Sequence, residues 1–296
     1  MRTTPIQMII RQASGPERRA SAFTVARWST TDRELQEIDL VASESGQMHL
    51  LYQAMSPAHS LWRSDAGVIH LAMLGELHRF VPRGGRWDHE VDTVPGAWGA
   101  LSGVGEDLVF ALGLDSALVW EGTTWSKVAT PGAFTAVHGV SRDRMMAVGL
   151  RGCFARWEGG EWRARDPVCD ETLVAVHAAA DDDVWALDAK GTLYRGNVDG
   201  IQPVHASGKK LLSIARFGGK TWVSVEGSGL FLYADDALTL AKDTFHPTRL
   251  EARTELVCTS PQMVVGSADG VAFKGIALKS VATLLDPTPP LWTKAP

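Results

Sequence analysis

The strongest constraint on the fold is a phrase that occurs twice, with His138 and His177 marking equivalent positions 39 residues apart. Phe134-Thr135-Ala136-Val137-His138-Gly139 and then Met145-Met146-Ala147-Val148-Gly149 are answered by Leu173-Val174-Ala175-Val176-His177-Ala178 and then Val184-Trp185-Ala186-Leu187-Asp188. Each copy turns into a third short run, Phe154-Ala155-Arg156-Trp157 or Leu193-Tyr194-Arg195. Short apolar runs separated by Gly and Asp read as strands and turns, and their return at about 40 residues indicates an all-β chain folded as a β-propeller. One copy cannot bury both faces of its small sheet. The copies must therefore stack, and the 296 residues are expected to form a single closed array, one domain.

Four strands per copy, A to D outward from the axis, can be laid along the chain. Regular blades are expected over 58–285, beginning with Ser60-Leu61-Trp62, Val68–Ala72, Glu76–Phe80 and Arg86–Glu90, and ending with strands at 255–258, 263–266, 271–273 and 280–284. Residues 21–57 read as an irregular first blade with A, B and C strands at 23–28, 38–42 and 48–52, and little left for D. Within it, 30–37 also has the pattern of a helical turn. Residues 5–12 precede any full copy, and their natural use is to pair with the last blade and remove an open edge. Pro287, Pro289 and Pro290 end regular structure and leave 286–296 as a tail. The count is seven blades, or six if the opening copy is not one.

The formal net charge of -5 and a pI near 6.0 give no general attraction to phosphate backbones or anionic membranes, so no nucleic acid and no membrane is expected as a partner. Cys153, Cys169 and Cys258 are far apart, odd in number and without Cys-x-x-Cys spacing, which fits reduced thiols rather than a disulfide framework. The apolar run near the N-terminus is too short for a secretion signal, and no segment has the roughly 18 apolar residues of a membrane span. Cytoplasmic residence is the expectation.

Val119-Trp120-Glu121-Gly122-Thr123-Thr124-Trp125 has a counterpart in Arg156-Trp157-Glu158-Gly159-Gly160-Glu161-Trp162 and a weaker one in Phe80–Trp87. A turn glycine supplies the positive φ of a tight hairpin, and the flanking aromatics can pack across the strands. Here the chain resembles bacterial propeller repeats with a Trp-x-Gly-x-x-Trp hairpin, close to kelch and WD40-type blades. The resemblance implies architecture over roughly 58–285 and no particular activity. The full WD40 signature, with Gly-His opening and Trp-Asp closing each blade, is absent.

Tryptophan at these hairpins is expected to pack blades. A carbohydrate-binding lectin would instead expose aromatics in several loops, with Trp62 and Trp98 as the candidates. His138 and His177 share a repeat position, but Ser102, Ala215 and Cys258 stand at the corresponding places elsewhere, too mixed for a metal ring, so a hydrogen bond to a neighbouring turn is expected. Glu106, Asp107, Asp143 and Asp181-Asp182-Asp183 read as turn formers rather than calcium ligands. Ser267-Ala268-Asp269-Gly270 resembles a fragment of an Asp-box. No metal and no cofactor is expected.

No hydrolase, phosphate-binding or dinucleotide motif is present, although catalytic groups on a propeller can converge on the axis without one. The B-to-C and D-to-A loops share a face, which on this register collects Glu44, Asp115, Arg151, Lys190, Glu226 and Asp269. These differ in sign and size from blade to blade, as recognition of an irregular protein surface would require. The reading is a non-enzymatic protein-binding scaffold, with a toxin- or effector-neutralising immunity role as its narrower form. A propeller hydrolase or lactonase with an axial site, and a lectin, are the alternatives.

Overall fold

The computed structural model describes residues 6–32, 36–285 and 291. It contains the seven four-stranded sheets of a seven-bladed β-propeller, and the chain divides into two compact units, Met1–Pro95 with Arg253–Pro296, and Gly96–Ala252. Blade 1 comprises β1 (Ile6–Ser14), β2 (Ala22–Ser29), β3 (Gln36–Glu44) and β4 (Gln47–Ala54). Blade 2 comprises β5 (Ala58–Arg63), β6 (Ile69–Met73), β7 (Glu76–Arg83) and β8 (Arg86–Thr93). In the second unit, blade 3 has β9 (Ala100–Gly103), β10 (Val109–Leu112), β11 (Ala117–Trp120) and β12 (Trp125–Val128). Blade 4 has β13 (Phe134–Gly139), β14 (Met145–Gly149), β15 (Phe154–Glu158) and β16 (Glu161–Ala164). Blade 5 has β17 (Leu173–Ala180), β18 (Asp183–Asp188), β19 (Thr192–Asn197) and β20 (Gly200–Ala206). Blade 6 has β21 (Leu211–Phe217), β22 (Lys220–Val225), β23 (Gly229–Ala234) and β24 (Ala237–Lys242). Blade 7 is β25 (Arg249–Ala252), β26 (Leu256–Ser260), β27 (Met263–Ser267) and β28 (Lys274–Ala277), followed by helix α1 (Leu278–Leu285).

Interior strands are covered on both faces, which is why β10 (Val-Phe-Ala-Leu) and β14 (Met-Met-Ala-Val-Gly) are continuous apolar runs and wholly buried. Outer strands are polar. In β8 the sequence Arg86-Trp87-Asp88-His89-Glu90 charges an edge that could otherwise pair with another chain. Between blades 3 and 4, Phe110 packs against Trp157 and Trp162 with ring centroids 4.8 and 5.0 Å away, and the two indoles lie 5.4 Å from each other. Trp120 and Trp125 flank their own hairpin at 5.8 Å. Trp120, Trp157 and Trp162 are buried core residues, and Trp125 is half-buried.

At the chain ends the strand assignment moves by one. The N-terminal strand is not lent to the last blade: β1 pairs with β2 from Ile6↔Ser29 to Ser14↔Ala22, as the first strand of a regular blade spanning 6–54. Blade 7 has four strands of its own and needs no borrowed one. Its links to blade 1 include the backbone bonds Ile10 N–H to Pro261 O and Glu255 N–H to Pro16 O, each 2.9 Å, and a shared apolar cluster in which Ile10, Phe23 and Val25 meet Val257, Val264 and α1. The expected outer strand at 280–284 is part of that helix. Leu278, Val281 and Leu285, spaced i, i+3 and i+7, bury one helical face, which an extended strand could not do. The helical turn considered at 30–37 falls partly on 33–35, outside the described residues, and Gln36 and Glu37 begin β3. The tail, apart from Leu291, also lies outside them.

Candidate protein-interaction surface

Because the four strands of a blade alternate in direction, its first and third turns emerge at one end of the sheet. Its second turn and the link to the next blade emerge at the other. In the Gly96–Ala252 unit these two ends differ in chemistry.

The first-turn end is sewn together by arginines that reach a neighbouring blade. Arg142, after β13, pairs with Asp107 of blade 3 at 3.4 Å and with Glu121 at 3.5 Å. Arg144 pairs with Asp181 of blade 5 at 3.0 Å, and Arg216 of β21 with Asp183 of β18 at 2.7 Å. The second Asp183 oxygen accepts Trp185 Nε1–H at 2.7 Å, and Arg195 and Arg216 both lie over the Trp185 ring. Acidic residues that read as turn formers are thus also acceptors for arginines. The sequence carried a signal for this, since each basic partner sits close to one repeat away.

Nearby, His138 on β13 and His177 on β17 stack with centroids 4.0 Å apart, and Ala178 N–H donates to His138 Nδ1 at 3.2 Å. The bond is to a strand amide rather than to a turn. Burial, with His138 and Arg216 adding to it, pushes the His177 imidazole well below its ordinary pKa. Stacked rings do not converge their nitrogens on one ion. Among the described residues, no three or more His, Cys, Asp or Glu are grouped to hold a metal.

The second-turn end carries short, rigid loops. Between β14 and β15, Gly149 N–H donates to Cys153 O (2.9 Å), Cys153 N–H to Leu150 O (3.1 Å), Leu150 N–H to Ala133 O (2.9 Å) and Gly152 N–H to Glu171 O (2.6 Å). The loop is thereby tied to both flanking interblade links. Arg151 is held at φ 54°, ψ 42°, the left-handed region that costs a residue with a Cβ about 1–2 kcal/mol. Gly152, at φ 65°, has no room for a side chain because a Cβ would run into the Cys169 backbone. Between β10 and β11, Gly113 N–H closes the turn on Ser116 O at 2.9 Å, and the buried Trp98 ring packs against Gly113. These turns display Leu114 at 72% exposure and Leu150 at 44%.

Of the six loop residues expected to share a face, four do occupy equivalent second turns: Asp115, Arg151, Lys190 and Glu226, in blades 3 to 6. Lys190 is paired with Glu171, and Glu226 with Lys210 at 2.7 Å. Asp115 and Arg151 make no ion pair among the described residues. Glu44 and Asp269 are elsewhere. They sit at the third turns of blades 1 and 7, because the strand assignment there was one strand out. Glu44 binds the buried Arg63. Asp269 Oδ1 accepts Val271 N–H (2.8 Å), Ala272 N–H (2.9 Å) and the Ser267 hydroxyl (3.0 Å), bonds that hold its carboxyl below the usual range. Leu114 and Leu150 were missed in the sequence because a single leucine beside a glycine gives no periodic signal. Trp62 and Trp98, the aromatics a lectin would need exposed, are 3% and 4% exposed.

No protein-family model matches the chain, and no curated protein matches it. Solved structures do. The WD40 β-propeller domain of Doa1 is similar with a TM-score of 0.63 at 10% identity, over 90% of this chain and 95% of that one. The fold is a WD40-type seven-bladed propeller. U3-55K gives 0.60 at 12% identity over 88% and 90% of the two chains. YCF48 bound to D1 peptide gives 0.58 at 12% identity over 90% and 93%. Identities this low make the likeness one of fold. Among the described residues, no helix of this propeller is long and apolar enough to cross a membrane.

Proposed function

We propose that the chain is a non-enzymatic protein-binding scaffold whose partner docks on the second-turn end of blades 3 to 6. A propeller suits such a role in general, and one structural neighbour was solved with a peptide bound. The observation that carries the reading is the loop Gly149–Cys153. Four backbone hydrogen bonds fix it, and it displays an exposed Leu150 beside an Arg151 that has no ion-pair partner among the described residues. A rigid loop loses little entropy on binding, and arginine is among the residues enriched in interface hot spots.

The test is capture from a native lysate with immobilised wild-type protein and two folded double variants. Leu114→Asp/Leu150→Asp should lose a specific partner at least about tenfold, the effect of one disrupted hot spot. Asp107→Ala/Arg144→Ala, at the opposite end, should retain it, and the reverse pattern would refute the assignment. Neutralisation of a toxin or effector is the narrower form of this proposal. It requires the captured partner to lose its activity at a one-to-one ratio; a partner that stays active in the complex would exclude that role.

A further inference from the structure

In the first unit, three buried polar atoms are left over on adjoining strands of blades 1 and 2. Gln12 on β1 and Thr24 on β2 are cross-strand neighbours, just past a bulge at Arg11. Thr24 shares a sheet face with Ala22, which packs on Leu61, Ile69 and Leu71 of blade 2. From that face the Gln12 amide nitrogen crosses to blade 2 and donates to His59 O at 2.8 Å. His59 is itself at a bulge, where β5 slips register against β6 between Ala58 and Ser60. This leaves Gln12 Oε1, Thr24 Oγ1 and His59 Nε2, each shielded from solvent and none with a hydrogen-bond partner among the described residues.

Neighbouring first strands are also joined by direct bonds elsewhere. Thr135 Oγ1 donates to Leu173 O at 2.5 Å between blades 4 and 5, and Leu250 N–H donates to Ser213 Oγ at 3.0 Å. Between blades 1 and 2, Arg63 N–H likewise donates to Ser14 Oγ at 3.0 Å, while a second bond uses only the nitrogen of Gln12, so that amide oxygen remains. A buried polar atom without a partner costs about 1–3 kcal/mol, and three together would be a large penalty in one junction.

We propose that this junction is a binding site for a single ordered water molecule that bolts blade 1 to blade 2. The donors and acceptors balance. Water donates one proton to Gln12 Oε1, which can only accept, and accepts the Thr24 hydroxyl proton. Its third bond goes to His59 Nε2, as donor or acceptor according to the imidazole tautomer. Three bonds is the usual number for a buried water, and the site is polar enough to hold one.

A crystal structure of the wild-type protein at about 1.6 Å resolution, together with thermal unfolding of Thr24→Val, tests this. Valine preserves the shape and suits a strand, so the variant should fold. One fully occupied water within hydrogen-bond reach of all three atoms is expected, with the melting temperature of Thr24→Val lowered by about 2–4 °C. Absence of that water, or a melting temperature unchanged or raised in the variant, would overturn the proposal. The latter is what removal of an uncompensated hydroxyl would produce.

Discussion

The two ends of the sheets in the Gly96–Ala252 unit are built from the same hairpins and solve opposite problems. At the first-turn end, charged side chains face each other across blades: Asp107 with Arg142, Arg144 with Asp181, Asp183 with Arg216. At the second-turn end, backbone hydrogen bonds hold the loops, and the side chains of Leu114, Asp115, Leu150 and Arg151 are left pointing at solvent. An end whose charges are already matched offers a partner little new. An end made rigid by its backbone can leave its side chains for recognition, and that contrast selects the docking surface.

If backbone fit makes the second-turn end rigid, the largest effect should come from a side chain placed where none fits. Gly152→Val adds a Cβ against the Cys169 backbone at a positive φ. A loss of about 3–4 kcal/mol is expected, read from urea unfolding. At the other end the comparable blow is to a side chain. Asp183→Ala removes the acceptor of both Arg216 and the Trp185 indole, and should cost about 2–3 kcal/mol while leaving partner capture intact. Equal losses of capture in both variants would erase the distinction between the ends.

Acid should act through the histidine pair near the charged end. The folded pKa of His177 is depressed, so between its unfolded value near 6.5 and its folded value the unfolded chain binds a proton that the native protein does not. Its contribution is neutral above about pH 6.5 and destabilising below, by about 1.4 kcal/mol per pH unit. His177→Gln should remove that increment from the slope of stability between pH 6 and 5, measured by denaturant midpoints. An unchanged slope would show that His177 titrates normally.

Blades 2 to 6 were legible in the sequence because two independent signals coincide there: apolar runs of strand length, and glycine or aspartate where the chain must turn. The ends of the chain were misassigned where the repeat was trusted over the local pattern. Leu278, Val281 and Leu285 have helical spacing, yet 280–284 was counted as a strand to complete a blade. Taking residues 5–12 as a closing strand then displaced Glu44 onto the wrong turn. The ion pairs were half-legible. Asp107 and Arg142 are 35 residues apart and Asp183 and Arg216 are 33 apart, close to one repeat, so complementary charges at that offset identify neighbours across blades. The Gln12, Thr24 and His59 junction was beyond reach, because it depends on two strand bulges that propensity does not locate.

The smallest expected effect bears most directly on the contrast between the ends. Arg151 occupies left-handed backbone where glycine is at ease, and its side chain forms no ion pair among the described residues to offset the strain. Arg151→Gly should therefore raise stability slightly, by about 0.5–1 kcal/mol once the greater freedom of the unfolded glycine is subtracted. The same change should weaken partner capture, since it removes the cation beside Leu150. Opposite signs on stability and binding at one residue distinguish a recognition side chain from a turn former, for which glycine would be the better residue. If Arg151→Gly both stabilises the protein and leaves capture unchanged, this loop is only a turn, and recognition shifts to Leu114 and Asp115.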